Sequence, residues 1–459
     1  MRTRRCSRPR PIQNAATLWR FPVILDLIPE AARAAGLGAL MKGAGKVTRY
    51  IPIPQPTLLV GPGSSVRLAE AIAGFGHGKL LIVTDAILAK LGILKGITAA
   101  LDASGTPYAV FDEITPDAPI PLIERCMAFY RDEDCDAILA VGGGSSIDAA
   151  KAVCCAIANP RPLRKLAGYL KGRASPVTLY AVPTTAGTGS EVTVAAVISD
   201  PQKQDKIVII DPRLVPRMAA LDPSLMAGLP PPVTAATGID ALTHAVESFI
   251  GQWASEYTEG LSLAAVQMIF ANLREAYSNG GNLVAREKMA LASTYAGMAF
   301  TRANVGYVHA IAHQFGGRYH TPHGLANAMV LPHVLRYSAP DIVPRLAALA
   351  VRAGLGDESE RDDELAEKFM AGVEQLNRDL GIPTTLEKLQ EKDIPALARA
   401  ACAEAETYPV PRYMTVKQCE ALIRKLLPQK ADKAEKAAAS DKKAAAPKKS
   451  APRKSTKKA

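Results

Sequence analysis

Short apolar runs rich in β-branched residues alternate with helix-like stretches between residues 57 and 210, and beyond Leu229-Pro230-Pro231-Pro232 such runs become scarce. The runs at 80–84, 108–111, 137–141, 180–182, 192–198 and 207–210 read as strands. A shorter one at 57–60 follows the proline-marked linker Pro52-Ile53-Pro54-Gln55-Pro56. This alternation predicts βαβ units and a mainly parallel sheet, because parallel neighbours need a crossover long enough to hold a helix. Past residue 229, long Ala- and Leu-rich segments at helical spacing predict an all-α region.

A chain of 459 residues exceeds what one core ordinarily serves, and the pattern divides it into four parts. These are a basic leader (1–49), an α/β domain (50–228), a helical domain (229–428) and a tail (429–459). The net charge of +11 suggests a nucleic-acid partner until it is located. Residues 1–10 hold five arginines and no acid, and 429–459 hold eleven Lys or Arg against three acids, so the body between is nearly neutral. The tail, almost wholly Lys, Ala, Ser, Pro and Asp, cannot bury enough apolar surface to offset chain entropy and is expected to be disordered. A loose electrostatic arm for nucleic acid and a plain solubilising tail both fit that composition.

No apolar run approaches the roughly 20 residues of a membrane helix. The seven cysteines include no C-x-x-C pair and no framework spacing, as expected in a reducing compartment. The leader is Arg-rich and acid-poor up to Asp26, in the manner of a transit peptide or twin-arginine start. No small-residue cleavage site follows a clean apolar segment there, so the expected location is the cytoplasm.

Two glycine-rich elements mark the first half. The apolar strand 137–141 runs into Gly142-Gly143-Gly144-Ser145-Ser146 and then into Ile147-Asp148-Ala149-Ala150-Lys151 with helical character. A strand, a glycine turn and a helix start together make a phosphate site, since bare backbone N–H groups meet an anion at the positive helix end. Pro183-Thr184-Thr185-Ala186-Gly187-Thr188-Gly189-Ser190-Glu191 follows another strand and adds hydroxyls to free N–H groups. Upstream, the strand at 80–84 ends in Asp85, where a carboxylate can accept from an adenosine ribose and repel a 2′-phosphate, favouring NAD over NADP. A helix cap is the alternative role for Asp85.

Six of the seven histidines (His244, His309, His313, His320, His323 and His333) lie between 244 and 333. Asp240 and His244 are four apart, which on a helix puts both side chains on one face, and His309 and His313 repeat that spacing. His323 follows ten residues later, after Thr321-Pro322. Oxygen and imidazole donors suit Fe(II), Zn(II) or a similar ion, and the lack of cysteine among them argues against a structural zinc knot.

Through the two glycine elements, 238–247 and 309–333, the chain resembles the iron-containing (group III) alcohol dehydrogenases over roughly residues 50–428. The resemblance implies an α/β N-terminal Rossmann-like dinucleotide-binding domain followed by an all-α C-terminal metal-binding domain, with the active site in the cleft between them. It implies Asp240, His244, His309 and His323 as ligands of Fe(II), with zinc as the alternative ion. It places Asp85, Gly143, Gly144, Ser145, Asp148, Thr184, Thr185, Thr188 and Lys206 against NAD, and a homodimer is expected. His313 is similar to the non-ligand histidine that faces substrate and cofactor in this family.

Two departures stand out: His320 where Asn or Asp is common, which invites the idea of a competing imidazole, and Asp117 where Asn is frequent. The implied reaction interconverts a primary alcohol and an aldehyde, with the metal as Lewis acid, hydride passing to NAD, and His313 taking up the released proton, as an imidazole can near neutral pH. Wall residues between 238 and 323 are mostly Ala, Gly, Phe, Tyr and Met, with Arg302 an exception, which favours a small alcohol. The alternatives are a glycerol-dehydrogenase-like polyol oxidoreductase, or a scaffold or nucleic-acid-associated protein acting through the basic tail.

Overall fold

The computed structural model describes residues 36–39, 41, 43–45, 51–202 and 205–428. Apart from those few residues below 46, the basic leader lies outside the described residues, as does the Lys/Ala-rich tail.

Nine strands occur among them: β1 (Thr57–Val60), β2 (Leu80–Val83), β3 (Tyr108–Phe111), β4 (Ala137–Gly142), β5 (Gly168–Tyr169), β6 (Thr178–Pro183), β7 (Ala195–Asp200), β8 (Asp205–Ile210) and β9 (Met218–Leu221). Six form one sheet in the order β1-β9-β6-β4-β2-β3, and every pairing in it is parallel. Six helices connect these strands: α1 (Ser64–Ala73), α2 (Ala86–Lys90), α3 (Lys95–Ala103), α4 (Ile120–Asp132), α5 (Gly144–Ala158) and α6 (Leu163–Leu166).

Both faces of the sheet are covered, which is why its central strands read as unbroken apolar runs. Leu80, Ile82, Leu139 and Val141 pack with Leu68 and Ile72 of α1 and Ile97 and Leu101 of α3. Leu81, Val83, Ile138 and Ala140 pack on the other face with Ile123 and Cys126 of α4 and Ile147 of α5.

One expectation needs correction, and one strand carries no sequence signal. The runs at 192–198 and 207–210 do not join the parallel sheet; β7 and β8 pair antiparallel, with β5 along β8, in a second three-stranded sheet. The alternating burial of β7 is that of a strand with one face covered. In addition, β9 sits between β1 and β6 although Met218-Ala219-Ala220-Leu221 has no β-branched residue to signal a strand.

The second half is helical: α7 (Pro231–Ile250), α8 (Glu256–Ser278), α9 (Leu283–Ala303), α10 (Tyr307–Tyr319), α11 (His323–Arg352, irregular at Ile342), α12 (Asp362–Asp379), α13 (Ile394–Ala405) and α14 (Val416–Arg424). One core serves all of it. Helix α7 packs against α8, α9 and α11 and is buried almost continuously from Gly238 to its end. On a helix so enclosed, polar side chains carry a cost unless they are paired, so Asp240, His244 and Glu247 mark a site.

Candidate metal centre and cofactor cleft

Asp240 and His244 project from one face of α7, His309 from the first turn of α10, and His323 is the first residue of α11. One ligand atom from each lies within 4.8 Å of all the others. The Nε2 atoms of His244 and His309 are 3.0 Å apart, and Asp240 Oδ1 lies 3.5 Å from His323 Nε2 and 4.0 Å from His309 Nε2. Burial lowers the pKa of His244, drives that of His309 well below the usual imidazole range, and brings His323 down to about 3. All three rings are therefore neutral at pH 7 and keep a lone pair for a metal.

Glu247, one turn beyond His244, holds this arrangement from behind. Its Oε2 accepts from His309 Nδ1 at 2.6 Å and its Oε1 from the Val308 N–H at 2.7 Å. When ionised, the Glu247 carboxylate can only accept, which places the His309 proton on Nδ1 and turns the Nε2 lone pair toward the centre. Burial pushes the Glu247 carboxyl up to about 8, against the pull of N–H groups from Gly306, Val308 and His309. Phe300 stacks on the His244 ring at 4.2 Å. Asn327, fully buried and one turn after His323, donates to Asp240 Oδ1 at 2.7 Å and lies 3.2 Å from Nε2 of both His309 and His323.

Two lone-pair nitrogens facing each other at 3.0 Å repel unless a proton or a cation lies between them. Three neutral imidazoles and one carboxylate converging in a buried site match the donor set of a divalent first-row metal. The backbone is shaped for it: a Cβ at position 324 would lie 2.3 Å from the Ala236 carbonyl oxygen, so only glycine lets the start of α11 press against α7 and bring His323 in.

The glycine elements meet each other on the sheet side. Gly143 precedes α5 and Gly144 is its first residue. A Cβ on Gly144 would stand 2.7 Å from Thr188 Cγ2, and one on Gly143 would stand 3.3 Å from Thr185 Oγ1. Thr184 N donates to Gly142 O at 3.0 Å, closing the two loops into one surface at the N-terminus of α5. Ser145 Oγ accepts from the Asp117 N–H at 3.3 Å, and Asp117 in turn pairs with Lys206 Nζ at 3.0 Å. The Lys206 charge acts on both Asp148 and His323.

Asp148 points elsewhere, accepting from Ser190 Oγ at 2.5 Å and Val197 N at 3.1 Å, which makes it an anchor for the second loop. Beside it the buried Lys151 ammonium donates to Thr193 and Ala195. Asp85 Oδ1 caps α2, accepting from Ile87 N at 2.9 Å and Leu88 N at 3.0 Å. Thr294 of α9 donates to Glu191 at 2.7 Å, seating the second loop on the helical half.

His313 stacks on His323 with centroids 5.3 Å apart and is the non-ligand imidazole at the edge of the cluster. His320 offers no competing imidazole: it is exposed and outside the ligand group, and its backbone caps α10 in the left-handed region (φ 54°). That conformation favours Gly, Asn or Asp. The Arg302 guanidinium reaches the backbone carbonyls of Ile51 and Ile53. Glu247, Asn327 and Glu404, the carboxylate 2.6 Å from His313 Nδ1, were not anticipated from sequence. Helical spacing from His244 and His323 was the available signal for the first two, and Glu404 had none.

Residues 55–223 match the family described as iron-containing alcohol dehydrogenase, and residues 234–427 match the C-terminal part of the Fe-containing alcohol dehydrogenase family. The chain is 38% identical to lactaldehyde reductase of Escherichia coli (strain K12) over 364 residues, 78% of this chain and 95% of the reductase. It is 34% identical to NAD-dependent methanol dehydrogenase of Bacillus methanolicus over 380 residues, 82% of this chain and 99% of that enzyme. Among solved structures, that of 1,3-propanediol oxidoreductase superposes with a TM-score of 0.80 at 38% identity, covering 82% of this chain and 99% of its own.

Proposed function

This chain belongs to the iron-containing alcohol dehydrogenase family, and we propose that it interconverts a small primary alcohol and the corresponding aldehyde with NAD and a divalent metal, Fe(II) in the first instance. The observation that carries this reading is the convergence of Asp240, His244, His309 and His323 beside the paired glycine loops. When bound, the metal supplies Lewis acidity toward the substrate oxygen and NAD supplies the hydride acceptor.

The chain's own residues do the rest. The N–H groups at the start of α5 and the threonines of the second loop bind the cofactor's phosphates, Lys206 and Asp85 hold its ribose groups, and Asp148 keeps the second loop in place through Ser190. Neutral imidazoles fixed by Glu247, Phe300 and Asn327 present their lone pairs, and His313 Nε2 receives the proton released from the alcohol. The six cysteines among the described residues are free thiols, five of them buried, which supports a cytoplasmic setting. No helix among the described residues is long and apolar enough to cross a membrane. We expect a homodimer, to be checked by sedimentation.

Purified protein given Fe(II) anaerobically with NAD and a short primary alcohol should generate NADH. Silence across alcohols and aldehydes with both Fe(II) and Zn(II) overturns the reading. Neither the polyol nor the scaffold alternative is favoured, because the full metal-ligand set is present and the relatives named above are alcohol and aldehyde oxidoreductases.

A further inference from the structure

We propose that Glu404 is a positioning residue that fixes the tautomer and ring orientation of His313; the catalytic consequence rests on the dehydrogenase reading above. His313 and Glu404 come from α10 and α13, which are 91 residues apart in the chain but packed side by side. Glu404 Oε1 accepts from His313 Nδ1 at 2.6 Å and from the Tyr408 hydroxyl at 2.7 Å, while its Oε2 accepts from Gln314 Nε2 at 2.9 Å. Three donors thus hold one carboxylate, so it is not a freely rotating surface acid.

A carboxylate at Nδ1 requires the proton there, which leaves Nε2 as the ring's acceptor. The ring plane is set independently by stacking on His323, with an interplanar angle of 19°. With both the plane and the Nδ1 edge held, only one orientation of the ring remains. The arrangement repeats, one helical turn later on α10, what Glu247 does for His309. The two carboxylates have different consequences: Glu247 directs a lone pair to the metal, and Glu404 directs one to the edge of the cleft, where His313 and Glu404 side chains are 29% and 24% exposed. Gln314 and Tyr408 act on Glu404 and not on His313, so they sit one step further out.

The test compares Glu404→Gln, which keeps the size and packing of the side chain, with His313→Ala and the double variant, all as full chains loaded with the same metal. Glu404→Gln should lower kcat roughly tenfold or more, a fraction of the 10²- to 10⁴-fold a positioned acid–base group commonly contributes, with KM for alcohol and NAD, metal content and Tm little changed. In the His313→Ala background the same change should cost almost nothing, because its effect runs through the imidazole. Nitrogen-15 chemical shifts of His313 in metal-free protein, assigned by difference against His313→Ala, should report a pure Nδ1–H tautomer in wild type and a mixture in Glu404→Gln.

An unchanged kcat in Glu404→Gln, an equal loss in both backgrounds, or an unaltered tautomer each overturns the proposal. A wild type without dehydrogenase activity overturns the reading beneath it, and the nitrogen shifts still decide whether Glu404 sets the tautomer.

Discussion

His244 Nε2 and His309 Nε2 lie 3.0 Å apart although 65 residues separate them, and both rings are held neutral by burial. A bound divalent ion replaces that close N···N contact with shared coordination, so binding is coupled to stability. Adding Fe(II) or Zn(II) to chelated protein should raise Tm, with about 2.7 kcal/mol of stabilisation when free metal is a hundredfold above Kd. His309→Ala should abolish the shift. A metal-induced rise in Tm of equal size in the variant would show that the ion binds elsewhere.

Glu247→Gln should cost roughly 10- to 100-fold in metal affinity or activity, the range found when the carboxylate behind a ligating histidine is lost. A glutamine amide can present its NH₂ to His309 Nδ1 and select the other tautomer, withdrawing the Nε2 lone pair. Metal titration of the purified variant, alongside its Tm, checks this directly.

Gly144→Ala should weaken cofactor binding, because the added Cβ meets Thr188 Cγ2 at 2.7 Å in a loop that has little room to move. Overpacking of this kind costs about 1–3 kcal/mol. Thr188→Ala removes the two nearest opposing atoms and leaves its Cβ at 3.2 Å, so the double variant should recover most of the folding stability while cofactor affinity recovers only in part. NADH fluorescence titration measures the affinity and thermal denaturation the stability.

Asp85 carries two roles that one substitution can separate. Asparagine caps a helix about as well as aspartate, so Asp85→Asn should preserve Tm and the contacts to Ile87 N and Leu88 N. Loss of the charge removes repulsion of a 2′-phosphate, worth roughly 1 kcal/mol or more near a protein surface, so the preference for NAD over NADP should drop several-fold. If the ratio of kcat/KM for the two cofactors does not move, Asp85 is a cap alone.

Burial lowers Lys151 from its ordinary 10.5 to about 8. Between those values the unfolded chain binds a proton that the folded one lacks, so this residue's contribution to stability rises as pH rises from about 8 to 10.5, by roughly 3 kcal/mol in all. Below pH 8 both states are charged and the contribution is constant. Denaturant unfolding of wild type and Lys151→Met should show wild type gaining on the variant across that window; parallel curves would mean that the ammonium is not desolvated as its surroundings indicate.

The β/α order and the two glycine loops are legible in local spacing, as unbroken apolar runs and strands ending in glycine, and the pairs Asp240/His244 and His309/His313 mark candidate donors one helical turn apart, whereas the candidate set Asp240, His244, His309 and His323 came from the family resemblance. Packing alone decided the rest. Met218–Leu221 became a central strand because β1 and β6 lie on either side of it, and β7 and β8 left the parallel sheet to pair with each other. Glu247 lies on the same helical face as His244, yet its partner is His309, 62 residues on, and Glu404 meets His313 across 91. Asn327 touches ligands from three helices at once. Local spacing encodes neighbours on the same element, whereas which side chain stands behind a ligand depends on how helices far apart in the chain pack around one buried core.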